Sequence, residues 1–273
     1  MRRKVVVFTD LDGTLLDRDT YSYEEALPAL ELMRERGVPL VMVSSKTRPE
    51  MEQLRRDLRN ADPFVVENGA AVYLPRGYFS QSYRSDRPQG GYDVVELAVS
   101  RERALEALME AARASAVEVR PVSRMSIDEI VAATGLDPHK AAMAMAREYD
   151  EPFLVVEGDA ALLCRELRRR GFECFRGGRF HHVIGGSDKG RAVRLLRSMF
   201  EREYGEVFTV ALGDSRNDMP MLAEVDCGVL LAGAAAGGGD GEKVGDGVRV
   251  SPGVGPSGWR CEVIRVLTRH LKR

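Results

Sequence analysis

The run VVVFTDLDGTLLD, residues 5–17, places two aspartates, Asp10 and Asp12, one residue apart where an apolar stretch runs out. Carboxylates that close repel, and each resists leaving water, so a buried strand seldom ends this way without a positive group between them. A divalent cation is the obvious candidate. The plainer reading of the same residues is a turn, with Gly13 and Thr14 closing a loop. Other residues weigh against a turn alone. Ser44 ends the apolar run VPLVMVS, Asp214 ends VFTVALGD with Asn217 and Asp218 just beyond it, and Lys189 stands near a helix start in GSDKGRA.

Carboxylates, a hydroxyl and an ammonium on one edge describe phosphoryl transfer with a carboxylate nucleophile. Attack by one aspartate on phosphorus makes an aspartyl-phosphate and splits hydrolysis into two easier steps. The second aspartate can protonate the leaving oxygen and later activate water. Mg2+, a hard cation that keeps several waters, needs only a few carboxylates to hold it. With the lysine it would neutralise the non-bridging phosphate oxygens.

The elements that must position these residues are readable from apolar runs and their spacing. VVVFTD, VPLVMVSS and PFVVENG read as buried strands, separated by the helices YSYEEALPALELMRERG and RPEMEQLRRDLRN. The same alternation returns in SDKGRAVRLLRSMFEREYG, VFTVALGDS, RNDMPMLAEV and DCGVLLA, and GPSGWRCEVIRVLTRHLK closes as a helix. Short apolar strands alternating with helices predict an α/β fold with a parallel sheet. In such a sheet ligands bind at the carboxyl ends of the strands, where Asp10, Ser44 and Asp214 fall.

Between Arg87 and Gly185 the rhythm changes to hairpin-like strands (FECFR, RFHHVIG) and short helices, which predicts an inserted α+β domain. The expected division is therefore a discontinuous core, 1–86 and 186–273, interrupted by a cap, 87–185. The Gly-rich stretch AGAAAGGGDGEKVGDG lacks a strand–turn–helix setting and reads as a surface loop rather than a phosphate cradle.

Composition narrows the classes further. A net charge of −2, and no Lys/Arg run with interleaved aromatics, argue against a nucleic-acid binder. MRRKVVVF looks briefly like a signal peptide, but its apolar run is too short for export, and no segment is long enough to span a bilayer. Cys164, Cys174, Cys227 and Cys261 form no C-x-x-C pair, which predicts reduced, mostly buried thiols and a cytoplasmic chain. Only six residues are lysine, so each lysine position is informative.

DLDGTLL, the Ser44 strand end, Lys189 and GDSRND, in this order, resemble the four motifs of the haloacid-dehalogenase-like phosphatase superfamily. The resemblance implies a Rossmann-like core with Asp10 as nucleophile, Asp12 as general acid/base, and Ser44 and Lys189 on the phosphate. It implies Mg2+ held by Asp10, the Asp12 backbone carbonyl and Asp214, with Asp218 supporting the site and Ser215 and Asn217 as lesser contributors. A cap after the third strand is like the sugar-phosphatase branch (Cof-type, IIB). Within that branch SSKTRPE, VVENGAAVYLPRGY, RPQGGYDVVELA, AREYDEPF and GGRFHHVIGGSDKGRAV carry the likeness along nearly the whole chain. They imply a phosphorylated sugar-glycerate substrate, mannosyl-3-phosphoglycerate, with the glucosyl analogue or a general sugar phosphate as the alternative. The long Gly-rich loop is the one departure.

Selectivity needs further residues. Lys46 follows the strand that carries Ser44, and Glu67, Asn68 and Gly69 end the third strand on the catalytic edge; a solvated lysine and a plain turn are the bland alternatives. An anionic glycerate carboxylate calls for an arginine fork, which selects Arg179, with His182 nearby in the same cap strand. Arg147, Glu148, Asp150 and Glu151 read by default as a solvated charged patch, and only the resemblance raises them as contacts for sugar hydroxyls. PQGGY, residues 88–92, suits a hinge. A phosphosugar mutase and a catalytically silent binding protein remain as other classes; retention of Asp10, Asp12, Lys189 and Asp214 argues against the second.

Overall fold

The computed structural model describes residues 3–177, 179–231 and 247–270. Most of the Gly-rich stretch, for which a surface loop is expected, lies outside the described residues. In chain order the elements begin with β1 (Lys4–Thr9), α1 (Leu27–Glu35), β2 (Leu40–Val43), α2 (Arg48–Asp57), β3 (Phe64–Val66), β4 (Ala71–Pro75), β5 (Arg87–Gln89) and β6 (Tyr92–Glu96). There follow α3 (Arg101–Ser115), β7 (Glu118–Pro121), α4 (Ile127–Thr134), α5 (Pro138–Met145), β8 (Glu151–Glu157), α6 (Ala160–Arg169), β9 (Phe172–Gly177) and β10 (Phe180–Gly185). The chain closes with α7 (Lys189–Tyr204), β11 (Val207–Gly213), α8 (Met219–Ala223), β12 (Cys227–Leu231), β13 (Val248–Ser251) and α9 (Gly255–His270).

The chain divides into two compact units. The first comprises Met1–Ser44, Ala61–Val95 and Asp188–Arg273, and the second Ser45–Asn60 and Glu96–Ser187. The first is built on a nine-stranded sheet of order β13-β12-β11-β1-β2-β3-β4-β6-β5. Six neighbours, β13 through β3, run parallel. Beyond them β4 pairs with β3, and β5 with β6, in antiparallel fashion. The chain runs outward from β1 through β2 and β3, then returns on the other flank of β1 at β11. That reversal makes the carboxyl ends of β1 and β11 a topological switch point. Strand β1 is buried on both faces, with Val5, Val6, Val7 and Phe8 at most 1% exposed, which is why it reads as an unbroken apolar run.

The first unit takes in the hairpin β5–β6, whereas the change of rhythm in the sequence falls at Arg87. The hairpin extends the sheet edge beside β4, and Tyr92 packs edge-on against Phe64 and Tyr73. Conversely, α2 groups with the second unit, where Thr47 Oγ1 donates to the Met143 carbonyl at 2.8 Å.

The second unit has an antiparallel sheet of order β7-β8-β10-β9, with α3 and α6 packed beside it. Its core joins Ala104, Leu108 and Ala111 of α3 to Leu163 and Leu167 of α6 and to Phe153 and Val183 of the sheet. Here the expectation of four reduced thiols is corrected. Cys164 of α6 and Cys174 of β9 form a disulfide, because helix and strand pack together and close a gap of ten positions that no short motif announces. Cys227 is half-buried and Cys261 exposed. No described helix is long and apolar enough to cross a membrane.

Candidate active site

Strand β1 delivers Asp10 to the switch point, and the chain then folds tightly on itself. Thr14 N and Leu16 N both donate to the Leu11 carbonyl, at 3.0 and 2.8 Å, so the buried Leu11 and Leu15 anchor the turn that presents Asp12 and Gly13. Gly13 has φ +83°, and a Cβ there would lie 2.5 Å from Asp214 Oδ2. Glycine is required on both counts.

Asp214 follows β11 directly. Its neighbour Asp218 turns back under the loop, its Oδ2 accepting from Asp214 N (3.1 Å), Ser215 N (3.0 Å) and Ser215 Oγ (2.8 Å). A Cβ on Gly213 would meet the Asp218 Cβ at 2.4 Å, so the loop closes only with glycine there. Lys189, the first residue of α7, is 1% exposed and spans the two strand ends. Its Nζ donates to Asp10 Oδ1 and to Asp218 Oδ1, each at 2.6 Å. Asp188 caps that helix by accepting from Arg191 N at 2.8 Å, which fixes where Lys189 starts.

Asp10, Asp214 and Asp218 thus bring carboxylate oxygens within 4.8 Å of one another, among buried surroundings. Burial, with Asp218 and Asp214 close by and only Lys189 opposing, pushes Asp10 up to about 7. Burial and Asp218 also raise Asp214, against the pull of Arg18. Although burial works against it, Lys189 is held above its ordinary value by Asp10 and Asp218. Lys189 serves Asp10 and Asp218, Asp214 meets the exposed Arg18 guanidinium, and this all-oxygen donor set fits a hard divalent cation.

A model of the haloacid dehalogenase-like hydrolase family matches residues 7–113. A Persephonella marina protein named glucosyl-3-phosphoglycerate/mannosyl-3-phosphoglycerate phosphatase is 43% identical over 83% of this chain and 84% of its own. A Methanococcoides burtonii protein of the same name is 36% identical over 98% of both chains. The chain belongs to the haloacid dehalogenase-like hydrolases. A solved Thermoplasma acidophilum structure shares the fold, with a TM-score of 0.66 at 21% identity over 98% of this chain and 99% of that one. The resemblance read from the motifs of this hydrolase, down to the phosphatases of glycosylated phosphoglycerate, is the one these relatives show.

The first unit of the hydrolase brings together Asp10, Asp214, Asp218, Lys189, Asn217 and the turn Glu67–Asn68–Gly69. Asn68 N donates to the Ser44 carbonyl at 2.9 Å, and Asn217 Nδ2 donates to Asn68 Oδ1 at 3.3 Å. The side chain of Asp12 is not part of the carboxylate trio.

Lys46, Arg179 and His182 lie in the second unit. Arg179 donates from its guanidinium to the Ala133 carbonyl at the end of α4. His182 is 8% exposed, sits 2.7 Å from Asp150 through Nδ1 and stacks on Phe175 at 5.3 Å. Asp150 also accepts from Arg147 at 2.9 Å, and Arg147 from the same guanidinium reaches the Ser45 carbonyl at 3.2 Å. Far from a solvated patch, Asp150 and Glu151 are fully buried. Glu151 takes the Arg101 guanidinium at 2.5 Å and the Ser123 N–H at 2.9 Å.

Two neighbours of the trio escape sequence reasoning. Thr14 Oγ1 lies 3.4 Å from Asp214 Oδ1, and the Arg18 guanidinium pairs with Asp214 Oδ2. Thr14 stood in the motif as turn chemistry. Arg18, in LLDRDT, carries no signal that separates it from a solvated loop residue.

Proposed function

We propose that the chain is a Mg2+-dependent phosphatase that hydrolyses mannosyl-3-phosphoglycerate to mannosylglycerate and phosphate. The observation that carries the reading is the Lys189 ammonium between Asp10 and Asp218, set at the switch point of a chain 43% identical to a phosphatase named for this class of substrate. Because both relatives are named for the two sugars, glucosyl-3-phosphoglycerate is taken as a second, poorer substrate.

Asp10 attacks phosphorus along the line of the leaving oxygen, forming the aspartyl-phosphate and breaking the phosphorus–oxygen bond to glycerate. Asp12 gives its proton to that oxygen, then takes one from the water that releases phosphate. Lys189 steadies Asp10 and offers positive charge to the phosphoryl oxygens, beside the Ser44 hydroxyl. Asp10, the Asp12 carbonyl and Asp214 would hold the cation, with Asp218 behind them. Mg2+ supplies Lewis-acid charge that neutralises the phosphoryl group. The core is assigned to catalysis and the inserted unit, through Lys46, Arg179 and His182, to selectivity, while the core turn Glu67–Asn68–Gly69 also contacts substrate.

A phosphate-release assay tests the reading. Mannosyl-3-phosphoglycerate should exceed mannose 6-phosphate and 3-phosphoglycerate by at least ~100-fold in kcat/KM, roughly 2.7 kcal/mol. The glucosyl analogue should fall between. A preference for a carboxylate-free hexose phosphate would move the chain to the general sugar phosphatases.

A further inference from the structure

The turn at the end of β3 is held in a costly conformation. Glu67, Asn68 and Gly69 have φ of +47°, +60° and +98°; the Glu67 side chain disfavours this region, while asparagine and glycine are the residues that accept it. Such strain persists only where the surroundings fix it. Here the Asn68 N–H is spent on the Ser44 carbonyl at 2.9 Å. Gly69 sits so close to the start of α7 that a Cβ would lie 2.1 Å from the Asp188 carbonyl oxygen and 2.7 Å from Lys189 N. The turn is wedged between the residues that carry Ser44 and Lys189.

The Asn68 side chain, 5% exposed, is oriented by its neighbours. Asn217 Oδ1 faces the Ser215 hydroxyl, so Asn217 Nδ2 is the atom that reaches Asn68, at Oδ1 and 3.3 Å. The carboxamide Nδ2 of Asn68 is left buried and has no hydrogen-bond partner among the described residues. A buried amide donor without an acceptor has given up its bond to water and received nothing in return. The strain at Glu67 and the unmade hydrogen bond at Asn68 are two independent costs in one turn, set between the residues that carry Ser44 and Lys189.

We propose that Asn68 Nδ2 donates to a non-bridging oxygen of the phosphoryl group, resting on the phosphatase reading above. A carboxamide cannot lose its proton at neutral pH, and its hydrogen bond to an anionic oxygen strengthens as charge develops. Asn68 thereby reads the group common to every phosphomonoester, not the sugar.

The test uses the full chain with Asn68→Gly and Asn68→Asp. Glycine keeps the left-handed backbone and the N–H to Ser44 while deleting the carboxamide; aspartate keeps its shape but turns the donor into a repelling carboxylate. Thermal melts establish folding, and calorimetric titration with orthovanadate in Mg2+ buffer measures binding. Vanadate affinity should weaken about 10- to 100-fold, with kcat/KM falling by a similar factor on both p-nitrophenyl phosphate and mannosyl-3-phosphoglycerate. Asn68→Asp should be the worse of the two. Wild-type vanadate affinity in a folded Asn68→Gly variant, with or without a loss on the mannosyl substrate alone, overturns the assignment; so does unfolding of both variants, which would make the side chain structural. A wild-type chain that binds vanadate but ignores mannosyl-3-phosphoglycerate would sink the substrate reading and leave this one standing.

Discussion

Lys189 Nζ meets Asp10 Oδ1 at 2.6 Å across 179 positions of sequence. The pair ties the start of α7 to the end of β1, and with Asp218 it gathers the charges from which the site is built. The two carboxylates hold Lys189 charged, Asp218 raises Asp10 and Lys189 opposes that rise, and this makes single substitutions informative.

Asp10→Asn should abolish phosphate release while the fold survives. The amide keeps the shape of the carboxylate but is a poor nucleophile and a weaker metal ligand. Steady-state assays on protein verified by mass spectrometry check this, and near-wild-type turnover would end the covalent mechanism.

Lys189→Ala should cost more stability than an average core substitution. Removing one partner of a buried ion pair leaves uncompensated charge and typically costs about 3–5 kcal/mol. Urea titration in chelator measures the loss, and Mg2+ should return part of it by supplying the missing positive charge. Equal midpoints for variant and wild type in chelator would contradict the arrangement.

The stabilising effect of Mg2+ should grow with pH. Asp10, raised to about 7 in the folded chain, keeps its proton above the ordinary carboxylate range. In chelator its contribution to stability is therefore fully present below that range and is lost as pH rises through about 7. A cation binds the ionised form, so the Tm difference between Mg2+ and chelator should be small near pH 5 and largest above pH 8. A difference that does not change with pH would show that Asp10 ionises normally.

Replacing Cys164 and Cys174 together by alanine should lower stability by about 3 kcal/mol, the usual order for opening a loop of this length. Chemical denaturation of the double variant measures it, and a reductant that opens the bond in wild type should reproduce most of the shift. A midpoint indifferent to both would assign the pair no mechanical role.

Arg179→Ala should reduce kcat/KM for mannosyl-3-phosphoglycerate more than for a small aryl phosphate. A desolvated charged contact is worth on the order of 2–4 kcal/mol, whereas a tie to the Ala133 carbonyl alone would affect both substrates alike or neither.

Much of the site was legible because local chemistry and strand grammar coincide. Asp10, Ser44 and Asp214 each end an apolar run, and a parallel sheet delivers such ends to one edge. Lys189 stood out through the scarcity of lysine. The short strands β4, β7 and β13 left weaker traces, since AVYLP, EVRP and VRVS are brief or interrupted by charge. Asp150 and Glu151 looked like a solvated run because burial of a charge depends on partners such as Arg101, Arg147 and His182 that lie far off in sequence.

By itself, then, the sequence determined which chemistry this chain carries: residue types at strand ends are local, and an x-Asp-x-Asp-Gly-Thr run has few other uses. Tertiary structure alone decided how those groups are charged and aimed. The rise of Asp10, the seating of Arg18 on Asp214, the Cys164–Cys174 bond and the unmatched Nδ2 of Asn68 all arise from atoms distant in the chain brought within a few ångströms. Electrostatic and hydrogen-bond energies depend on separation and burial, and those quantities exist only once the chain has folded.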